Sequence, residues 1–407
     1  MKKIRSAHIV AIAFGVIMIL GIIGFFSVNS FLKPIYANLR SWDSGKTVSQ
    51  NLSAIEKSIE NTINKNVGFK TSFIQVNGLA QKLMGKRVIT DIDVNSSVVK
   101  LDNEYLVFAD PKATDKSLQN NASSVLELKN YLEGRGTELL YIQAPTKIDG
   151  RDQQLPDGIS DYSTENCEKF VTMLDGAGVD TLNLIEKLRK ENVEWYSMFF
   201  KTDHHWTNEA GFWAYTELAT ALAENYGFEV DQSHLEPNSY AKRTYNGIFL
   251  GSLGKRTGST YSGLDDISFI IPKFETSFEY SCPIRNTYRS GKFEDSLLFE
   301  KQNITGNIFN DFCYGASLGG DFGYMKITNK LNPDGKKVLL IKDSFANPVA
   351  THLALDVGQL EIVDLRMLAT ENNKTVKDCI EESNPDIVII LYSSAQLLKT
   401  ATFDFGV

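Results

Sequence analysis

From about Ser97 onward, short β-branched and aliphatic runs alternate with stretches whose apolar positions recur every three or four residues, the pattern of strands separated by amphipathic helices. Residues 138–143 read as a buried strand. Ahead of it, Val125, Leu128 and Leu132 share a helix face that stops at Gly134; after it, Cys167, Phe170, Val171 and Leu174 fall at i, i+3, i+4 and i+7 and stop at Gly176. A third helix is predicted over residues 208–226, with Gly227 as its stop. Near the C-terminus the runs 338–341, 360–363 and 387–391 are aliphatic enough to be buried on both faces, and the last two bracket a helix carrying Val376, Cys379 and Ile380. Strands joined by helical crossovers predict an α/β fold with a largely parallel sheet.

Two segments break this rhythm. Between residues 238 and 329 Gly, Tyr, Phe, Ser and Thr dominate, which predicts a β-rich insertion. Its aromatics, among them Tyr261, Phe274, Tyr280 and Tyr288, suit a small β core better than a set of sugar-stacking faces. At the other end, residues 9–26 are 18 consecutive uncharged, mostly apolar positions preceded by Lys2, Lys3 and Arg5. That length and flank predict an uncleaved signal-anchor transmembrane helix with its N-terminus in the cytoplasm. A cleavable signal peptide would have a shorter apolar region and a small-residue cleavage site. The domain plan is therefore a cytoplasmic stub and anchor (1–32), an extracytoplasmic helical linker (33–96) in which Ile55, Ile59 and Ile63 share a helical period, a first α/β part (97–237), the insertion (238–329) and a second α/β part (330–407).

Composition narrows the chemistry. The 407 residues carry 42 Lys and Arg against 50 Asp and Glu, a net charge of −8, so there is no basic footprint for a nucleic acid partner. Cys167, Cys282, Cys313 and Cys379 are widely spaced, which gives no support to a zinc or thioredoxin-like motif. No P-loop or Gly-x-Gly-x-x-Gly is present, and no cofactor is expected.

What remains is a set of polar residues at predicted strand ends, where open α/β sheets gather their ligand sites. Thr-Asp-His-His-Trp at 202–206 follows the apolar run 195–200, read as a strand, and precedes a helix. Asp203 beside an imidazole is suited to fixing the tautomer of a general base; the alternative is a helix cap with structural histidines. Lys-Asp-Ser-Phe-Ala-Asn at 342–347 follows the strand 338–341, so Ser344 would sit at the sheet edge near a helix N-terminus, as a nucleophile or as an ordinary cap. Lys147, Arg366, Ser393 and Ser394 also fall at strand ends, Arg366 either binding an anion or pairing with a nearby Asp.

Thr-Asp-His-His-Trp resembles the signature of the DHHW protein family, and its Asp-x-His-Trp core is similar to that of the alginate O-acetylation proteins, extracytoplasmic members of the Ser-Gly-Asn-His (SGNH) hydrolase-like group. Val-Val-Lys-Leu-Asp-Asn-Glu-Tyr-Leu at 98–106, Ala-Pro-Thr-Lys at 144–147 and Lys-Asp-Ser-Phe at 342–345 resemble further blocks of these families, in order. The resemblance implies a circularly permuted SGNH-like sheet flanked by helices, with Ser344 as nucleophile, His205 as general base and Asp203 as its orienting group. His204, Lys147, Arg366 and Asn347 are secondary candidates for substrate or oxyanion contacts. It implies a membrane-anchored polysaccharide O-acetyltransferase that takes acetyl groups from a membrane-bound O-acyltransferase-type partner, with an acetylesterase as the hydrolytic alternative. Outside that class stand a non-catalytic polysaccharide-binding scaffold and a metal hydrolase using Asp203, His204 and His205 with His234 or His352; adjacent histidines rarely share one ion, and no metal is expected.

Overall fold

The computed structural model describes residues 47–53, 70–90, 97–151, 154–191 and 193–407, with a few further positions before residue 57. The chain divides into residues 1–76 and 77–407, and the fold that follows is that of the second unit. Helix α1 (Lys70–Leu83) runs across the division. The predicted span at 9–26, apart from a few positions, and Ile59 and Ile63 of the linker lie outside the described residues, whereas Ile55 is helical; among the described residues no helix is long and apolar enough to cross a membrane.

β1 (Val88–Ile89), β2 (Val98–Lys100) and β3 (Leu106–Val107) form a small antiparallel sheet. The main sheet has eight strands in the order β5 (Asp180–Asn183), β4 (Glu138–Gln143), β13 (Ile387–Tyr392), β11 (Lys337–Lys342), β12 (Gln359–Val363), β10 (Tyr324–Asn329), β8 (Phe278–Cys282) and β9 (Thr287–Gly291). Its first five strands are parallel, with Leu340 opposite Ile389 and Ile389 opposite Leu140. The last three continue the sheet antiparallel, so strands of the 238–329 segment extend the same sheet, while β6 (Tyr240–Phe249) and β7 (Asp265–Pro272) pair separately.

Alternation sorts the central strands between two cores. Leu340, Ile389 and Leu391 face a core shared with α4 (Asn208–Tyr226) and α5 (Asn347–Leu353), whereas Leu339, Ile341, Val388 and Ile390 face one shared with α2 (Asp115–Glu133), α3 (Ser163–Gly176) and α6 (Val376–Ser383). Every residue of β13 is buried, as its uninterrupted aliphatic run requires. The helices follow their signals closely: Gly134 caps α2, and α4 starts on the Thr207 side chain and ends at Gly227 in the left-handed conformation (φ 64°).

One expectation is corrected, and one alternative falls. Residues 195–200 form no strand, because the Glu194 carboxylate accepts from the Tyr196 and Ser197 N–H groups and turns Trp195–Met198 into a 3₁₀ helix. Asp203 does not cap α4; Thr207 does, accepting from the Ala210 N–H at 3.1 Å. In the insertion Tyr261 and Tyr280 are core residues, Phe274 is half-buried and Tyr288 is exposed. All four cysteines are buried thiols, Cys282 and Cys313 included.

The α4–α5 crossing ties the two predicted chemical segments together, since α4 follows 202–206 and α5 follows Ser344. It is close because of Gly211, where a Cβ would come within 2.4 Å of Pro348 Cγ. Gly211→Ala is expected to destabilise the fold by about 1–3 kcal/mol through overpacking, read as a lower urea midpoint with an unchanged slope. An unchanged midpoint would show that the crossing has slack.

Candidate active site

The end of β11 is shaped by one carboxylate. Asp343, fully buried, accepts from the Phe345 N–H through Oδ1 (3.0 Å), which bends the chain into the 3₁₀ turn Ser344–Ala346. Its Oδ2 accepts from the Ser393 N–H (2.9 Å), the Ser393 hydroxyl (2.6 Å) and Gln396 Nε2 (3.1 Å), tying the end of β13 to the end of β11. Ser344 begins the turn, and among the described residues no group accepts a hydrogen bond from its N–H, as expected for the first residue of a helical turn.

Residues 202–206 reach this point from the opposite side. A Phe199–Trp206 bridge and a Phe200 N–H to His205 carbonyl bond (3.2 Å) close them into a tight loop. Trp206, wholly buried, donates through Nε1 to the Phe345 carbonyl at 2.9 Å, so the signature tryptophan is clamped directly to the residue after Ser344. This puts His205 Nε2 2.6 Å from Ser344 Oγ and His205 Nδ1 2.5 Å from Asp203 Oδ1. A carboxylate partner makes Nδ1 the proton-bearing nitrogen and leaves the Nε2 lone pair aimed at the serine hydroxyl. The His205 ring stacks on buried Tyr314, with centroids 3.9 Å apart and planes at 15°.

Asp203 is buried, and burial works against its charge. The charges of His205 and His204 and the bonds from His205 and the Ser252 N–H nevertheless hold its pKa well below the usual carboxylate range. The Ser252 N–H reaches Asp203 Oδ2 at 2.5 Å because Gly251 allows the two backbones to meet; a Cβ there would lie 2.3 Å from Asp203 Cβ. Behind the loop, Asp265 accepts from the Lys201 and Thr202 N–H groups and the Thr202 hydroxyl. Tyr314, Gly251, Asp265 and Asp343 escape sequence reasoning: only the fold reveals their partners, and the single legible hint is a charged Asp directly before Ser344.

The secondary candidates divide. Buried Lys147 donates to the carbonyls of Leu106 (2.6 Å) and Asp203 (2.7 Å), and so supports the loop from behind. His204 pairs through Nδ1 with Ser252 Oγ (2.8 Å) and lies against the His205 ring; desolvation, then the neighbouring His205, lowers its pKa although one edge remains open to solvent. Arg366 and Asn347 are drawn elsewhere. Lys342, fully buried, needs counter-charges: it pairs with Asp321 and donates to Asn347 Oδ1 (2.7 Å), Asn347 Nδ2 donates to Asp321 (3.0 Å), and Arg366 grips Asp364 through two nitrogens. The salt-bridge alternative for Arg366 is the one realised. Asp203, His204 and His205 each offer a ligand atom within 4.8 Å of the others, but both His205 nitrogens already have partners, so an ion would have to displace Ser344 or Asp203. His352 lies in α5, bonded to the Pro348 and Ile270 carbonyls, and His234 pairs with Asp356, so neither joins that group. A small cavity of about 90 Å³ opens beside the site, walled by Phe108, Lys147, Ile148, His204, Phe345 and Ser393.

Ser344 from one chain segment and His205 with Asp203 from another, hydrogen-bonded in series, form the Ser–His–Asp arrangement seen in acyl-transfer enzymes. Residues 103–267 match the profile of the SGNH hydrolase-like domain of the acetyltransferase AlgX. The matched region contains Asp203 and His205 and stops before Ser344. The fold is that of Bacillus cereus PatB1, 20% identical over 78% of this chain and 99% of that one with a TM-score of 0.61 in a structure with a sulfonyl adduct, and 21% identical with a TM-score of 0.62 in another covering 76% and 99%. It is also that of a DHHW family protein from Eubacterium siraeum DSM 15702, 18% identical over 78% and 97% of the two chains with a TM-score of 0.55. No curated protein matches. The chain thus resembles an SGNH hydrolase-like acetyltransferase domain over residues 103–267, and in fold it resembles PatB1 and a DHHW family protein.

Burial pushes the Lys147 ammonium down from 10.5 to about 7. Because the folded value lies below the unfolded one, the unfolded chain holds the extra proton between those values, and the contribution of Lys147 to stability rises with pH across that window. The urea midpoint of the native protein should therefore gain on that of Lys147→Met between pH 7 and 9. Parallel pH profiles would refute the shift.

Proposed function

We propose that the protein is a membrane-anchored, extracytoplasmic polysaccharide O-acetyltransferase working through an acetyl-Ser344 intermediate. One observation carries the reading: Ser344 Oγ lies 2.6 Å from a His205 nitrogen whose ring partner is the ionised, buried Asp203. The similarity to an acetyltransferase family supports the acyl class.

In the first half-reaction Ser344 Oγ attacks the carbonyl carbon of an acetyl donor while its proton passes to His205 Nε2. The C=O electron pair becomes an oxyanion, for which the unpaired Ser344 N–H is the donor at hand. Collapse expels the donor alcohol or thiol, which takes the proton from His205. In the second half a sugar hydroxyl gives its proton to His205, attacks the acetyl-serine and releases Ser344. Asp203 holds the Nδ1–H tautomer throughout and offsets the imidazolium charge. His204 is hydrogen-bonded to Ser252 whereas His205 Nε2 meets Ser344 Oγ, which favours His205 for the base role. Anchored by residues 9–26 outside the cytoplasm, such a site would receive acetyl groups from a membrane-bound acyltransferase-type partner and pass them to a secreted or wall polysaccharide.

The test is turnover of an activated acetyl ester, with and without oligosaccharide acceptors. Ser344→Ala and His205→Gln should each lower turnover by roughly 10⁴-fold, and Asp203→Asn by a similar factor, with melting curves retained, whereas His204→Gln should keep most of it. Ser344-dependent appearance of acetylated oligosaccharide distinguishes transfer from hydrolysis. Turnover in Ser344→Ala equal to that of the native chain would remove Ser344 as the nucleophile, and oligosaccharide binding without any turnover would replace the proposal with a scaffold role.

A further inference from the structure

Helix α1 is built inside out. Its buried position is Gly78, where a Cβ would lie 2.1 Å from the Thr257 carbonyl oxygen, and Ile74, Gln75 and Gln81 beside it are half-buried. Apart from Ile74, the large apolar side chains point the other way. Phe73 (66% exposed), Val76 (67%), Leu79 (47%) and Leu83 (79%) recur every three or four residues, and Met84 (60%) continues the stripe past the helix end. None of them joins a core cluster. A contiguous apolar stripe on a helix whose small and polar face is the packed one calls for a cover.

Charge identifies the cover. Residues 61–90 contain five Lys and Arg and no Asp or Glu, in a chain whose net charge is −8. Exposed Lys82 and Lys86 flank the C-terminal end of the stripe. Arg87 is paired with Asp102, but exposed Lys82 and Lys86 beside an apolar helix face, in a stretch of sequence without acids, match a surface that is negative at its headgroups and apolar just beneath them. We propose that the outer face of α1 lies in the interface of an anionic lipid bilayer, holding the catalytic unit against the membrane. The docking is separate from the predicted span at 9–26 and from the chemistry at Ser344.

The four native cysteines are buried, so an introduced thiol on the full chain can be labelled selectively. An environment-sensitive fluorophore at Leu83→Cys is compared with one at Gln119→Cys, an exposed position of α2, in vesicles of phosphatidylcholine with and without phosphatidylglycerol. The Leu83 label should brighten several-fold, shift to shorter wavelength and be quenched by nitroxide lipids when phosphatidylglycerol is present. Lys82→Glu combined with Lys86→Glu should weaken the effect, and the Gln119 label should not respond. A Leu83 label that stays water-like on vesicle-bound protein would overturn the proposal. So would one already shifted without vesicles, the sign of cover by the chain itself, or one that shifts with protein concentration alone, the sign of a second copy. Far-UV circular dichroism controls for folding, and the readout does not involve Ser344, so this inference and the acetyl-transfer reading fail independently.

Discussion

The burial of one negative charge, that of Asp203, organises the site. A carboxylate removed from water costs several kcal/mol unless donors replace its hydration, and leaving it without them costs ~3–5 kcal/mol. Here the donors are the His205 N–H, His205 Nδ1–H and the Ser252 N–H. Each imposes something on the chain: the loop must close tightly at Phe199–Trp206, position 251 must lack a side chain, and the Asp203 carbonyl, left facing inward, is met by the Lys147 ammonium. A tight loop of this kind leaves His205 little freedom, and stacking on Tyr314 removes more.

Ser344 is fixed by the same logic applied to a second carboxylate. Asp343 is as buried as Asp203, and its four donors come from the turn it begins and from the end of the neighbouring parallel strand. The turn follows directly from strand pairing in the sheet, and Trp206 locks it to the histidine loop through a single hydrogen bond to Phe345. The distance between Ser344 Oγ and His205 Nε2 is thus set by two carboxylates, one indole and a helix crossing at Gly211.

Much of this architecture is legible in the chain. Helices with one buried face and strands buried on both faces leave strong periods, so α2 to α4, β4, β11, β12 and β13 appear where the pattern predicts them. The 195–200 run misleads because its apolar residues are buried from a 3₁₀ turn, a state with no period of its own, and the deciding residue, Glu194, acts by capping. Ser344, His205 and Asp203 stand out by residue type, by position and by resemblance. Tyr314 and Asp265 leave no trace, since their partners are 60 residues or more away in the chain. Arg366 and Asn347 look available in the sequence because the demand of a fully buried Lys342 for counter-charges and acceptors emerges only when Asp321 is folded against it.

The central claim is that this preorganised serine becomes acylated. Intact mass spectrometry of the protein after incubation with an activated acetyl ester, followed by peptide mapping, tests it most directly. The account predicts one acetyl group, carried on the peptide containing Ser344 and lost on addition of an acceptor oligosaccharide or on longer incubation. A folded protein that takes no acetyl group, or one that carries it elsewhere and equally in Ser344→Ala, would contradict it.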